Sequence, residues 1–138
     1  MRERVKAGGT LLVASWLDVP LAKFLADETL KCRCTTSKPL TIGDRHAKFV
    51  REGGWTHAPW DIERDVRRSY SPCYMQIFDP SMGAVEYAGM PSKEDDSKML
   101  PFISGMRYGK GAIILIGADF YVSYFKILDN IRKDLGCP

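Results

Sequence analysis

The stretch Tyr108-Gly-Lys-Gly-Ala-Ile-Ile-Leu-Ile-Gly117 decides how this chain is read. Gly109-Lys110-Gly111 is a turn signal. The run Ala112–Ile116 is apolar without interruption, which predicts a strand covered on both faces. Beyond Gly117, Asp119 is placed to cap a helix. Tyr121, Tyr124, Phe125, Leu128, Ile131 and Leu135 then recur at helical spacing, so one face of that helix is apolar. Gly136 stands at its C-cap and Pro138 just beyond.

A second, shorter version of the pattern lies at the start of the chain. Thr10-Leu-Leu-Val-Ala-Ser15 is another apolar run, preceded by Gly8-Gly9, which fit the C-cap of a helix ending near Ala7. Asp18 and Pro20 then open a helical pattern carried by Leu17, Leu21, Phe24 and Leu25 and fading near Leu30. Two apolar strands, each followed by an amphipathic helix, predict an α/β fold in which Thr10–Ser15 and Ala112–Gly117 are parallel central strands.

Between these ends the signals are more mixed. From about residue 31 to 70, Lys38-Pro39, Gly43-Asp44, Gly53-Gly54 and Ala58-Pro59 are turn signals, and Phe49, Val50, Trp55 and Trp60 supply apolar bulk. This reads as an irregular insertion with one short helix around Asp61–Ser69. Cys73–Phe78, Ala84–Ala88 and Phe102–Met106 read as strands. Asp79-Pro-Ser-Met-Gly83 predicts a hairpin between the first two. Lys93–Lys98 reads as a charged exposed loop.

Composition bounds the function classes. A chain of 138 residues, 45% hydrophobic and 27% charged, is expected to form a single domain with a core of its own. The net charge of +3 is too small for a dedicated nucleic-acid binder. No apolar run has the length of a membrane span, and Met1–Gly9 lacks the apolar segment of a secretory leader. The expectation is a cytoplasmic protein. Cys32-Arg-Cys34, Cys73 and Cys137 do not make two spaced pairs, and His46 and His57 do not complete a zinc pattern, so neither a metal nor a cofactor is expected. Gly109-Lys110-Gly111 precedes a strand, where a phosphate-binding loop would follow one.

Val5-Lys-Ala-Gly-Gly-Thr-Leu-Leu-Val-Ala14, taken with Tyr108-Gly-Lys-Gly-Ala-Ile-Ile-Leu-Ile-Gly117 and its terminal helix, resembles the class I glutamine amidotransferase-like superfamily. The nearest branch is non-catalytic, of the trehalose-utilisation type or the middle domain of some β-galactosidases. The resemblance covers about a third of the chain. It implies a flavodoxin-like, mixed and mainly parallel sheet with flanking helices, here incomplete at its N-terminus. The catalytic members carry a nucleophilic cysteine on a glycine-flanked strand-to-helix turn and a His-x-Glu pair. Cys34 and Cys73 lack that setting, and His46 and His57 are each followed by an alanine and no glutamate, so the Cys-His-Glu triad is missing.

Three functions compete. The first is a non-catalytic interaction or assembly module, forming a homo-oligomer or docking on a partner protein. The second is a sugar-binding protein or hydrolase. In open α/β sheets ligands sit beyond the carboxyl ends of the parallel strands, where Ser15, Asp18, Asp119 and Tyr121 would line one rim. Two carboxylates there suit an acid/base pair or a small-molecule ligand, although both also fit as helix caps. The third is nucleic-acid binding through residues 31–68, where Trp55 and Trp60 could stack bases. Against it, Arg64, Arg67 and Arg68 alternate with Asp61, Glu63 and Asp65, as on a solvated helix face.

Overall fold

The computed structural model describes residues 1–13, 32–34, 48–49, 76–78, 83–91, 95, 97–116 and 125–138. The predicted helices at Asp18–Leu30 and Asp61–Ser69, together with Trp55 and Trp60, lie outside the described residues.

The chain opens with helix α1 (Arg2–Lys6) and strand β1 (Thr10–Val13). Short strands β2 (Cys32–Cys34), β3 (Lys48–Phe49) and β4 (Gln76–Phe78) follow. The longer β5 (Val85–Pro91), β6 (Met99–Tyr108) and β7 (Gly111–Ile116) lead into the last helix, α2 (Phe125–Asp134). Five strands form one sheet in the order β1-β7-β6-β5-β3, while β2 and β4 pair separately. Among the described residues no helix is long and apolar enough to cross a membrane.

The decisive strand, β7, is buried along its whole length. Alternation sends its side chains to two faces. Ile113 and Leu115 pack with Val5 of α1, Val13, Met106 and Phe78. Ala112, Ile114 and Ile116 pack with Ile127, Leu128 and Ile131 of α2, and with Tyr87. An uninterrupted apolar run is what a strand between two layers requires, and the described helices supply one layer each. Ile127 is almost fully buried although it falls off the stripe read from Tyr121. Among the described residues, the face of α2 that meets the sheet therefore takes in Ile127 besides Leu128, Ile131 and Leu135 of the stripe the sequence outlines.

The fold is thus α/β with a mixed sheet, but its strand directions need a correction. β1 runs parallel to β7. The pairs β7–β6, β6–β5 and β5–β3 are antiparallel. A mainly parallel sheet does not hold among the described residues. The physical reason is the turn: Tyr108 and Gly111 pair directly, leaving Gly109 and Lys110 as a two-residue loop, and a loop that short can only reverse the chain. Gly109 has φ +66°, the conformation that such tight hairpins need at their first loop position. A second correction concerns β4. Its described partner is β2, antiparallel, with Cys32 opposite Phe78. Among the described residues β4 does not pair with β5; Phe78 instead packs on the α1 face of the main sheet. The segment read as an irregular insertion contributes β2 and β3.

The two glycine motifs meet in space. Both helix ends close in the same way. Gly8 and Gly9 return N–H groups to the carbonyls of Val5 and Arg4, and Gly136 and Cys137 return theirs to Lys133 and Arg132. The end of α1 then sits on the β6–β7 turn. The Lys110 N–H donates to the Lys6 carbonyl at 2.9 Å, and the Ala112 N–H to the Gly9 carbonyl at 3.2 Å. The approach is so close that a Cβ on Gly111 would stand 2.1 Å from the carbonyl oxygens of both Val5 and Gly9. Arg132 ties α2 to this junction. Its guanidinium donates to the Gly8 carbonyl at 2.9 Å, to the Thr10 hydroxyl, and to the Pro138 carbonyl at 2.8 Å.

Candidate functional site

The rim expected at Ser15, Asp18, Asp119 and Tyr121 lies outside the described residues, as do His46, His57, Cys73 and the arginines of 64–68. The strands that lead to that rim are described. Val13 is opposite Leu115, so β1 and β7 end side by side and point the same way.

Two other features stand out within the described residues. The first is the open side of β1. Among the described residues this strand stands at one end of the sheet, with β7 as its one strand partner. The Gly9 carbonyl accepts from Ala112. In a parallel pair, that bond directs the N–H and C=O of Leu11 toward β7, and those of Thr10 and Leu12 the other way. Beside this strand runs a cleft of about 470 Å³ lined by Met1, Arg4, Val5, Gly9, Thr10 and Leu11. Met1 is 64% exposed, one of two exposed large apolar residues among those described. Leu11 is half-buried.

The second feature is a pocket of about 190 Å³ on the antiparallel part of the sheet. Phe78, Ala84, Val85, Glu86, Pro101 and Ser104 line it. Glu86 and Ser104 are direct cross-strand partners, which places their side chains on one face. That face is the one carrying Leu115, the partner of Ser104 on its other side, and Phe78 of β4 covers the same face. The pairing slips immediately beyond. Glu86 pairs with Ser104 and Ala88 with Ile103, so Tyr87 is an extra residue; Gly89 then pairs with Pro101, so Phe102 is extra on β6. Such bulges bend a strand and re-aim its side chains. Tyr87 is fully buried on the α2 side, with its hydroxyl donating to Asp134 Oδ2 at 2.9 Å.

The electrostatics of the pocket follow from its walls. Ser104 is only 5% exposed, the sole buried polar residue among those described. Glu86 keeps part of its surface in water, but the protein around its carboxyl removes enough solvent to raise its pKa above the ordinary glutamate value. No hydrogen bond or ion pair joins either side chain to another described residue. A buried hydroxyl without a protein partner is a costly arrangement; Glu86, exposed as a residue, still meets water at the pocket mouth. By contrast, Asp95 lies on the exposed loop after β5, and there the Ser97 hydroxyl and N–H donate to its carboxylate at 2.6 and 3.1 Å and lower its pKa.

Sequence reading missed Glu86 and Ser104. Glu86 looks like the outward residue of an alternating strand, and Ser104 like a small residue within an apolar one. The available signal was a polar residue inside each of two apolar runs, Val85–Ala88 and Phe102–Met106.

No protein-family model matches the chain, and no curated protein matches it by sequence.

Proposed function

We propose that this chain is a non-catalytic assembly module with an amidotransferase-like core, and that it assembles by joining β1 to β1 of a second copy. The observation that carries this reading is the open side of β1. Outward-facing backbone groups at Thr10 and Leu12 form a template for strand addition, and the adjoining cleft of Met1, Arg4 and Leu11 offers apolar surface next to it. A two-fold axis, the commonest symmetry of homo-oligomers, brings identical edges together antiparallel. Backbone pairing supplies the register, and burial of Met1 and Leu11 supplies the driving force, at about 25 cal/mol per Å² of apolar surface. The absence of a Cys-His-Glu triad from the sequence is what makes the module non-catalytic in this reading.

Sedimentation equilibrium across a wide concentration range tests the reading. The expected result is a reversible rise from 15.6 kDa to twice that mass. A single 15.6 kDa species at every concentration would overturn it.

A further inference from the structure

We propose that the pocket between β4, β5 and β6 binds a small aliphatic primary ammonium compound, its charged head held by Glu86 and Ser104. This site is separate from the open side of β1 and does not depend on assembly.

The pocket leaves a buried hydroxyl without a partner among the described residues. Ser104, a residue only 5% exposed, and the more open Glu86 are aligned across two strands, and neither side chain is bonded to another described residue. A ligand that donates hydrogen bonds would satisfy both. An ammonium group carries three N–H donors and no acceptor. The carboxylate accepts with charge assistance and the hydroxyl oxygen accepts a second bond. Phe78 also lines the pocket, and an aromatic ring attracts a cation seated over its face. Ala84 and Pro101 add apolar lining, which suits a short aliphatic body, while the Val85 side chain packs on the opposite, α2 face. A metal ion suits the pocket less well, because magnesium and calcium call for six or more oxygen ligands and one carboxylate with one hydroxyl falls far short. An anion is disfavoured by Glu86 itself. Size limits the ligand too. Pockets for drug-sized molecules run to roughly 300–1,000 Å³, so about 190 Å³ takes only a small one. The neighbouring bulges at Tyr87 and Phe102 fit this reading, since bulges recur where a strand must aim a side chain at a ligand.

The test is a titration of the isotope-labelled full chain, followed by amide NMR, with n-butylammonium, n-butanol and n-butyrate as matched probes. Butylammonium should give saturable shifts centred on Glu86, Ser104 and Val85 at millimolar concentration. Butanol and butyrate should bind at least about tenfold more weakly, the usual worth of a hydrogen bond to a charged group. Glu86→Gln should weaken butylammonium by about tenfold or more, and Phe78→Leu by a few fold. Ser104→Ala provides a second variant should Glu86→Gln disturb the sheet, and should also weaken binding. Equal affinity for butylammonium and butanol, shifts centred elsewhere, or undiminished binding by both Glu86→Gln and Ser104→Ala would overturn the proposal.

Discussion

Replacing Gly111 by alanine should do more damage than any other one-carbon change among the described residues. The new Cβ would lie 2.1 Å from two carbonyl oxygens, those of Val5 and Gly9. Non-bonded carbon and oxygen cannot approach so closely, and both obstacles are backbone, so no side-chain rotation relieves the clash. Helix α1 and the Gly8-Gly9 turn must move off the β6–β7 hairpin by about 1 Å, judged from normal contact distances. That displacement breaks the Lys110–Lys6 and Ala112–Gly9 hydrogen bonds, worth about 1 kcal/mol each. It also pulls Val5, 4% exposed, out of the cluster around Ile113 and Leu115, at a cost of about 1.5–3 kcal/mol when complete. The total is about 3–5 kcal/mol, a large share of the roughly 5–15 kcal/mol that holds a typical domain together. Gly83→Ala is the control. Gly83 has φ +70° and nothing within 4 Å of its would-be Cβ, so only the left-handed backbone penalty of about 1–2 kcal/mol applies. Urea unfolding of both variants against wild type gives the two numbers. If Gly111→Ala costs no more than Gly83→Ala, the backbone-on-backbone junction is wrong.

Arg132→Met keeps the aliphatic stem but loses the donors to Gly8, Thr10 and Pro138, and should cost about 2 kcal/mol in the same unfolding assay; an unchanged midpoint would show that the guanidinium does not tie the chain ends. Glu86 should make stability fall as pH rises, because its folded-state pKa is raised by burial: the contribution is most favourable below the unfolded value and is lost as pH passes through the folded one. Thermal melts should therefore show Glu86→Gln gaining on wild type at pH 7 relative to pH 4, and the opposite trend would contradict the desolvated carboxyl. Incubation with glutamine should release no glutamate; release abolished by Cys34→Ala or Cys73→Ala would contradict the non-catalytic reading.

What the sequence made legible was chiefly backbone chemistry. The six-residue run of β7, the turn at Gly109-Lys110 and the helix-ending glycines at Gly8 and Gly136 all depend on local rules, and each takes the form those rules imply. Strand partners were harder to read. Asp79–Gly83 has good turn residues, yet β4 pairs with distant β2 and Phe78 packs on the sheet face; local turn chemistry carries no information about either. Nor could the sequence show that β1 ends the described sheet, because a short apolar run looks alike at an edge and in the middle. The Glu86–Ser104 pocket was hidden for a related reason. Its members lie 18 positions apart and meet only through the β5–β6 register, which two bulges adjust.

The reading of this chain as an assembly module rests on the open side of β1, and hydrogen exchange at two adjacent amides tests it most directly. The Leu11 amide faces β7 and should exchange slowly at any protein concentration. The Leu12 amide faces the other way and should exchange fast in dilute protein. Its protection should rise as concentration rises, while that of Leu11 stays constant. A Leu12 amide that exchanges equally fast at the highest concentration, or is already fully protected at the lowest, would contradict it.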